Sequence, residues 1–223
     1  MSVLCVHRRF PMTGSLDTNF FSIGHSSLQA DQFLALLKTH GVTMIADVRS
    51  VPFSRRFPWF SSRALADRLQ SKGISYMMVG DTLGGRPTSP ALYRDGVADY
   101  EAMARTADYY AGIDRVVREM PHHRVCLMCA EREPLDCHRC LLVSRSLAER
   151  SFTVGHILGD GSLEPHSATE DRLLAGLRPG AGADLFGDRE SRLAEAYRRR
   201  AHRIAARLSD RVRPGRTPRA MSS

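Results

Sequence analysis

The feature that most constrains this chain is an alternation of short apolar runs with longer amphipathic ones. FFSIGHS, VTMIADVRS, ISYMMVG, RVCLMCA and FTVGHIL have the length and the β-branched or aromatic content of strands. LQADQFLALLKTHG, closed by Gly41, and RALADRLQSKG, opened by Ser61 or Ser62, have helical period and helical ends. Further helices are expected from about Tyr100 to Met120 and from Asp136 to Arg150, the latter capped by Asp136. A loop rich in Gly, Pro and Ser spans 81–98. Strands that alternate with helices of this length predict an α/β fold: a three-layer, Rossmann-like parallel sheet of about five strands, helices on both faces.

That architecture makes a chemical prediction. All strands of a parallel sheet end at one edge, where ligands bind. The strand ends here are Gly24-His25, Asp47-Val48-Arg49, Gly80-Asp81, Cys129-Ala130-Glu131 and His156. Ionisable groups at nearly every end are a poor choice for a structural rim and a good one for a pocket.

Domain organisation follows from where the pattern stops. Residues 1–18 show no period and read as a loose arm; 19–160 form the α/β domain. Residues 161–212 read as a C-terminal helical extension packed on it, with 179–187 Gly-rich, and 213–223 as a disordered basic tail. Within the extension, Leu193, Tyr197, Ile204, Leu208 and Val212 share one helical face, and Arg199, Arg203, Arg207 and Arg211 a second. Residues 189–223 hold 11 Arg against 3 acidic side chains, while the rest of the chain is balanced, so the net charge of +8 resides in the extension and tail. An arginine stripe attracts nucleic-acid phosphates without regard to sequence. A solvated helix face gives the same pattern. The apolar runs are too short to cross a bilayer, and Arg8, Arg9 and Pro11 stand where a signal peptide needs apolar residues, so a cytoplasmic protein is expected. Five cysteines, four of them clustered, fit reduced thiols better than a disulfide framework.

The densest chemistry lies in RVCLMCAEREPLDCHR (124–139). Cys126-x2-Cys129 and Cys137-x2-Cys140 have zinc-ligand spacing. On a strand, however, residues three apart face opposite ways, so Cys126 and Cys129 cannot share an ion, whereas Cys129 with Cys137 and His138, or a nearby His25 or His156, can. Cys126-x5-Arg132 matches thiol-phosphatase spacing, but Leu127 and Met128 are too bulky for a loop of exposed amides. At the helix start after Pro134, free N–H groups favour an anion or a thiolate at Cys137. Glu131 is either a partner orienting Arg139 or a catalytic carboxylate. Asp47 and Arg49 share a strand face; Ser54-Arg55-Arg56 lie among Phe53, Phe57, Trp59 and Phe60, a mixture suited to phosphate and base contacts. Gly84-Gly85-Arg86 sit in a loop placed to close over a ligand. His25 caps a helix or faces the pocket; His156 is a pocket residue or a satisfied core histidine.

Taken together, SIGHS (22–26), IADVRSVPFSRRF (45–57), LGG (83–85), LMCAEREPLDCHR (127–139) and VGHI (154–157) resemble the family known as domain of unknown function 488 (DUF488). The resemblance implies a compact α/β domain with a motif-lined pocket; it implies no particular reaction. Cys126 and Cys140 lie outside its pattern.

Three functions are consistent with these residues. The first is a hydrolase for a phosphate-bearing ligand, a nucleotide or nucleic acid. In it His25, Arg49, Ser54, Arg55, Gly84, Gly85, Arg86, His138, Arg139 and His156 bind the ligand, and Asp47 or Glu131 activates water. Cys129 or Cys137 as nucleophile is its variant. The second is a non-catalytic module that docks on nucleic acid or a partner. The third is a thiol redox or zinc site at Cys129 and Cys137. No cofactor is specified, and no membrane partner is expected.

Overall fold

A computed structural model describes residues 18–177 and 188–210. Strand β1 (Phe20–Gly24) leads to helix α1 (Ala30–Thr39), β2 (Met44–Asp47) to α2 (Ser62–Gln70), and β3 (Ser75–Met78) to a single turn, α3 (Gly80–Leu83). A small hairpin, β4 (Tyr93–Arg94) and β5 (Val97–Ala98), precedes α4 (Tyr100–Ala104), α5 (Ala107–Glu119) and β6 (Val125–Cys129). Then come α6 (Arg145–Glu149), β7 (Val154–Ile157), β8 (Leu163–Pro165), α7 (His166–Ala175) and α8 (Arg189–Asp210). The main sheet has the order β3-β2-β6-β1-β7-β8, parallel except for β8.

The five expected strands form and are parallel. The sixth, β8, is three residues ending in proline, a pattern that belongs to a sheet edge and carries no strand signal of its own. Strand alternation divides the core into two. Phe21, Ile23, Ile45, Cys126 and Met128 pack under α1 and α2, whereas Phe20, Met44, Ala46, Leu127 and Cys129 pack on the other face, with α5, α6 and α8. Cys126 and Cys129 are thus on opposite sides of the sheet.

Three element boundaries differ from expectation, each for a local reason. The helix expected over Tyr100–Met120 is broken at Arg105, because the Thr106 hydroxyl accepts from the Tyr109 amide (3.2 Å) and starts α5 afresh. The helix expected over Asp136–Arg150 starts later. Pro134–Asp136 form a 3-10 turn capped by Glu133, not Asp136; Arg139–Ser144 are wound as a π-helix, with the Ser144 hydroxyl on the Arg139 carbonyl (2.8 Å); α6 follows. The loop over 81–98 carries α3 and the hairpin. At α2, Ser61 does not cap through its side chain but accepts from the Ser54 amide (3.2 Å).

Tyr197 and Ile204 of α8 are buried in the core with Ala196 and Ala205, and Arg200 fastens the helix to the Leu135 carbonyl (2.8 Å) and to Asp136 (2.7 Å). The expected N-terminal arm with Cys5, the Gly-rich stretch 179–187, Arg211, Val212 and the tail 213–223 lie outside the described residues, as does the side chain of Leu208. No described helix is long and apolar enough to cross a membrane.

Candidate metal centre

The insertion of β6 between β1 and β2 sets the site. It places the C-terminal end of β6 in the middle of the sheet edge, flanked by His25 and Asp47-Val48-Arg49. From there the chain returns through the 3-10 turn to Cys137 and His138. Cys129, Cys137 and His138 bring their donor atoms within 4.8 Å of one another. His138 Nδ1 stands 3.7 Å from Cys129 Sγ and 4.0 Å from Cys137 Sγ, and Glu131 Oε2 lies beside the two sulfurs at 3.1 and 3.2 Å. Cys129, Cys137 and His138 are buried; Glu131 is half-buried.

The imidazole's orientation is fixed from behind. His138 Nε2 lies 2.8 Å from the Val48 carbonyl, an obligate acceptor, so Nε2 carries the hydrogen and the lone pair of Nδ1 faces the sulfurs. This is the outer-shell arrangement usual for metal-ligating histidines. Gly85 covers the other side of the ring; a Cβ there would come within 2.8 Å of Cγ.

Electrostatics polarise the cluster. Burial pushes the Cys137 thiol up, but the hydrogen bond from Cys129, the Arg139 guanidinium and His138 outweigh it and hold Cys137 well below the usual thiol range. Burial pushes Cys129 well above that range, helped by Cys137 beside it. Burial and the charge of Cys137 also raise the Glu131 carboxyl. For His138 burial acts downward, yet Cys137 and Glu131 raise it.

Arg139 is the largest fully buried side chain described. Its guanidinium donates to the backbone carbonyls of Glu131 (2.5 Å) and Arg132 (3.1 Å), while Nε has no partner among the described residues. Glu131 therefore orients Arg139 through its carbonyl and keeps its carboxylate for the thiols. A buried guanidinium without a carboxylate is costly unless other negative charge lies close. Cys137 supplies it.

Asp47 and Arg49 form a second, tied group beside this one. Arg49 donates to both Asp47 oxygens (2.9 and 2.6 Å), Tyr76 donates to Asp47 Oδ2 (2.7 Å), and Arg49 Nη1 donates to His25 Nε2 (3.2 Å). Asp47 is fully buried with its oxygens occupied, and Arg49 is 4% exposed. His25 stacks on Phe60 at 4.1 Å; burial and the adjacent Arg49 lower its pKa to about 4, so it is neutral and its Nδ1 hydrogen goes to the Ser26 carbonyl (3.1 Å).

The other expected residues are dispersed. Ser54 accepts from the Phe57 amide (3.1 Å) and builds its own loop. Arg55, Arg56 and Arg86 are exposed, as is Phe53, whereas Phe60 is buried in the core. Gly84 packs beside Ser50, whose hydroxyl accepts from the Arg86 amide (3.0 Å). His156 is one strand position short of the edge and belongs to a separate buried chain with Ser22 (2.6 Å) and His166 (2.9 Å). Cys140 lies near those two histidines, not near Cys137's partners. Three participants carried no sequence signal: the Val48 carbonyl, Tyr76, and Tyr100, whose buried hydroxyl lacks a partner among the described residues and lies in the fields of Cys137, Cys129 and Glu131. Only sheet order brings them in.

No curated protein and no solved structure matches the chain. The family model described as "Domain of unknown function DUF488" matches residues 29–146, a span that covers β2, β3, β6, Cys129, Glu131, Cys137 and His138. With more than half of its length matched, the chain belongs to the DUF488 family.

Proposed function

We propose that Cys129, Cys137 and His138 hold a zinc-class divalent ion, with the Glu131 carboxylate beside it as a general base, in a hydrolase for an anionic, nucleotide-class substrate. The convergence of the donor atoms of Cys129, Cys137 and His138 carries this reading. Around a tetrahedral zinc, with bonds of about 2.3 Å to sulfur and about 2.0 Å to nitrogen or oxygen, ligand atoms stand roughly 3.3–3.8 Å apart. The sulfur-to-nitrogen distances of 3.7 and 4.0 Å lie at and just beyond the upper end of that interval. Charge agrees: two thiolates, one carboxylate, a divalent cation and the Arg139 guanidinium sum to neutrality in a buried site.

Such an ion supplies Lewis acidity and a water of lowered pKa. Glu131, half-buried with its carboxylate beside both sulfurs, would be the general base for that water. Asp47, its oxygens saturated, acts as a positioning group that fixes Arg49 and His25. The exposed Arg55, Arg56 and Arg86, with Phe53, lie on the two loops adjoining Val48 and Gly85 and support the choice of an anionic, base-bearing substrate.

A dithiol redox pair is the second reading, favoured by the proximity of Cys129 to Cys137 and the low-lying thiol of Cys137. Metal analysis of the purified full-length chain, with cobalt titration, separates the two. About one equivalent of metal and a near-ultraviolet cobalt–thiolate band are expected, lost in Cys129→Ser, Cys137→Ser and His138→Ala but kept in Cys126→Ser and Cys140→Ser. Glu131→Gln should retain metal and lose nucleotide hydrolysis. A metal-free protein that gives no cobalt band and oxidises to a Cys129–Cys137 disulfide would establish the redox reading instead.

A further inference from the structure

A cavity of about 590 Å³ lies between the β4–β5 hairpin, α4, α5, α6 and α8. The volume is that of a small-molecule site, for which about 300–1,000 Å³ is usual. It contains none of Cys129, Glu131, Cys137 and His138, so it is a separate chamber. Its walls are of two kinds. One side is aromatic and apolar, with Tyr109, Tyr197, Leu141 and Leu142 buried behind it and Tyr110 presenting half of its surface to a planar body. Five guanidiniums also line it against three carboxylates, an excess of positive charge inside a concave, partly apolar enclosure.

Most of those arginines are already paired: Arg94 with Asp99, Arg145 with Glu149, Arg150 with Asp114, Arg198 with Glu195. Arg105 has no ion-pair partner among the described residues.

We infer that this cavity binds a small anionic ligand with a planar aromatic body, of the nucleoside monophosphate class. Arg105 and the arginine-rich rim face the phosphate, and Tyr110, half of it exposed, takes the base.

Calorimetric titration of the full-length protein with adenosine monophosphate tests the inference, with adenosine and inorganic phosphate as separate probes. Saturable binding of the nucleotide at one site is expected, with each fragment at least tenfold weaker, an effect of about 1.4 kcal/mol. Tyr110→Ala and Arg105→Ala should each weaken nucleotide binding severalfold. Ala201→Trp, which fills the cavity, should abolish it, and Ala104→Leu gives a second filling variant should the first fail to fold. Both filling variants should keep the cobalt band of the metal centre, so failure here and failure of the metal reading are distinguishable. Absence of saturable nucleotide binding, binding untouched by either filling variant, or equal affinity for phosphate alone would overturn the assignment.

Discussion

Gly85 lies flat against the imidazole of His138, so closely that a methyl at residue 85 would stand 2.8 Å from the ring's Cγ and 3.0 Å from Nδ1. The ring is therefore clamped between the chain at Gly85 and the Val48 carbonyl that holds Nε2. Gly85→Ala is expected to tilt Nδ1 away from the sulfurs and weaken metal binding about 10–100-fold, the usual cost of disturbing a ligand's outer shell. Competition with a chromogenic chelator measures this. Unchanged affinity in the variant would show that Gly85 does not position His138.

Arg139 behaves as an internal strut. Gly24 makes room for it: a Cβ at residue 24 would meet Arg139 Nη1 at 3.0 Å and collide with the Glu131 carbonyl. Arg139→Met should lower stability by about 3–5 kcal/mol, because two buried carbonyls and a low-lying thiol lose their partner together. Arg139→Lys should recover little, since one ammonium cannot reproduce the two-pronged geometry. Urea unfolding midpoints give the comparison, and a wild-type midpoint for Arg139→Lys would refute the strut.

Strand ends, read with period-2 alternation, made a large part of this site legible in the sequence. They locate Asp47, Arg49, Cys129 and Glu131 at one edge, and alternation alone separates Cys126 from Cys129. What they do not contain is strand order. That β6 lies between β1 and β2 is a long-range fact, and it decides that His138 meets Val48, that Arg49 meets His25, and that Asp47 is spent on its neighbours. Arg139 shows the same limit. Its residue type advertises an anion site, but Gly24 beneath it and the bend after Cys129 turn it inward onto backbone. His156 reads as an edge residue because its strand is short, yet Ser22 opposite and His166 behind give it a complete set of core partners.

Helix α8 presents two faces that separate experimentally. Tyr197, Ile204 and Arg200 tie it to the core, whereas Arg203 and Arg207 are exposed. Removing residues 189–223 is expected to destabilise the domain and so to confound any test of nucleic-acid binding. Replacing Arg203 and Arg207 by Gln instead should leave the unfolding midpoint within about 0.5 kcal/mol of wild type. If the stripe contacts phosphates, the same pair should reduce the salt slope of single-stranded DNA binding by roughly one to two units. An unaltered slope would make the stripe a solvated face.

Stability should fall as the medium is acidified toward pH 4, and the cause lies in a buried chain running from β1 to α8. Tyr197 donates to Glu170 (3.0 Å), so its oxygen accepts from His166 Nε2 (3.0 Å); His166 Nδ1 then accepts from His156 Nε2 (2.9 Å), and His156 Nδ1 from the Ser22 hydroxyl (2.6 Å). Every hydrogen has a place only while both rings are neutral. Burial lowers the His166 pKa to about 4, against the Glu164 carboxylate that acts upward, and lowers His156 well below its ordinary value, with His166 adding to the effect. Between pH 6.5 and about 4 the unfolded chain binds protons that the folded chain refuses, so unfolding free energy rises with pH across that window and is fully present above it. His166 alone accounts for a loss on the order of 3 kcal/mol. Urea midpoints from about pH 7 to about pH 4.5 should therefore decline, and His166→Gln, with no proton to gain, should decline less steeply while starting lower. Parallel curves for the two proteins would exclude His166 as the source of the acid sensitivity.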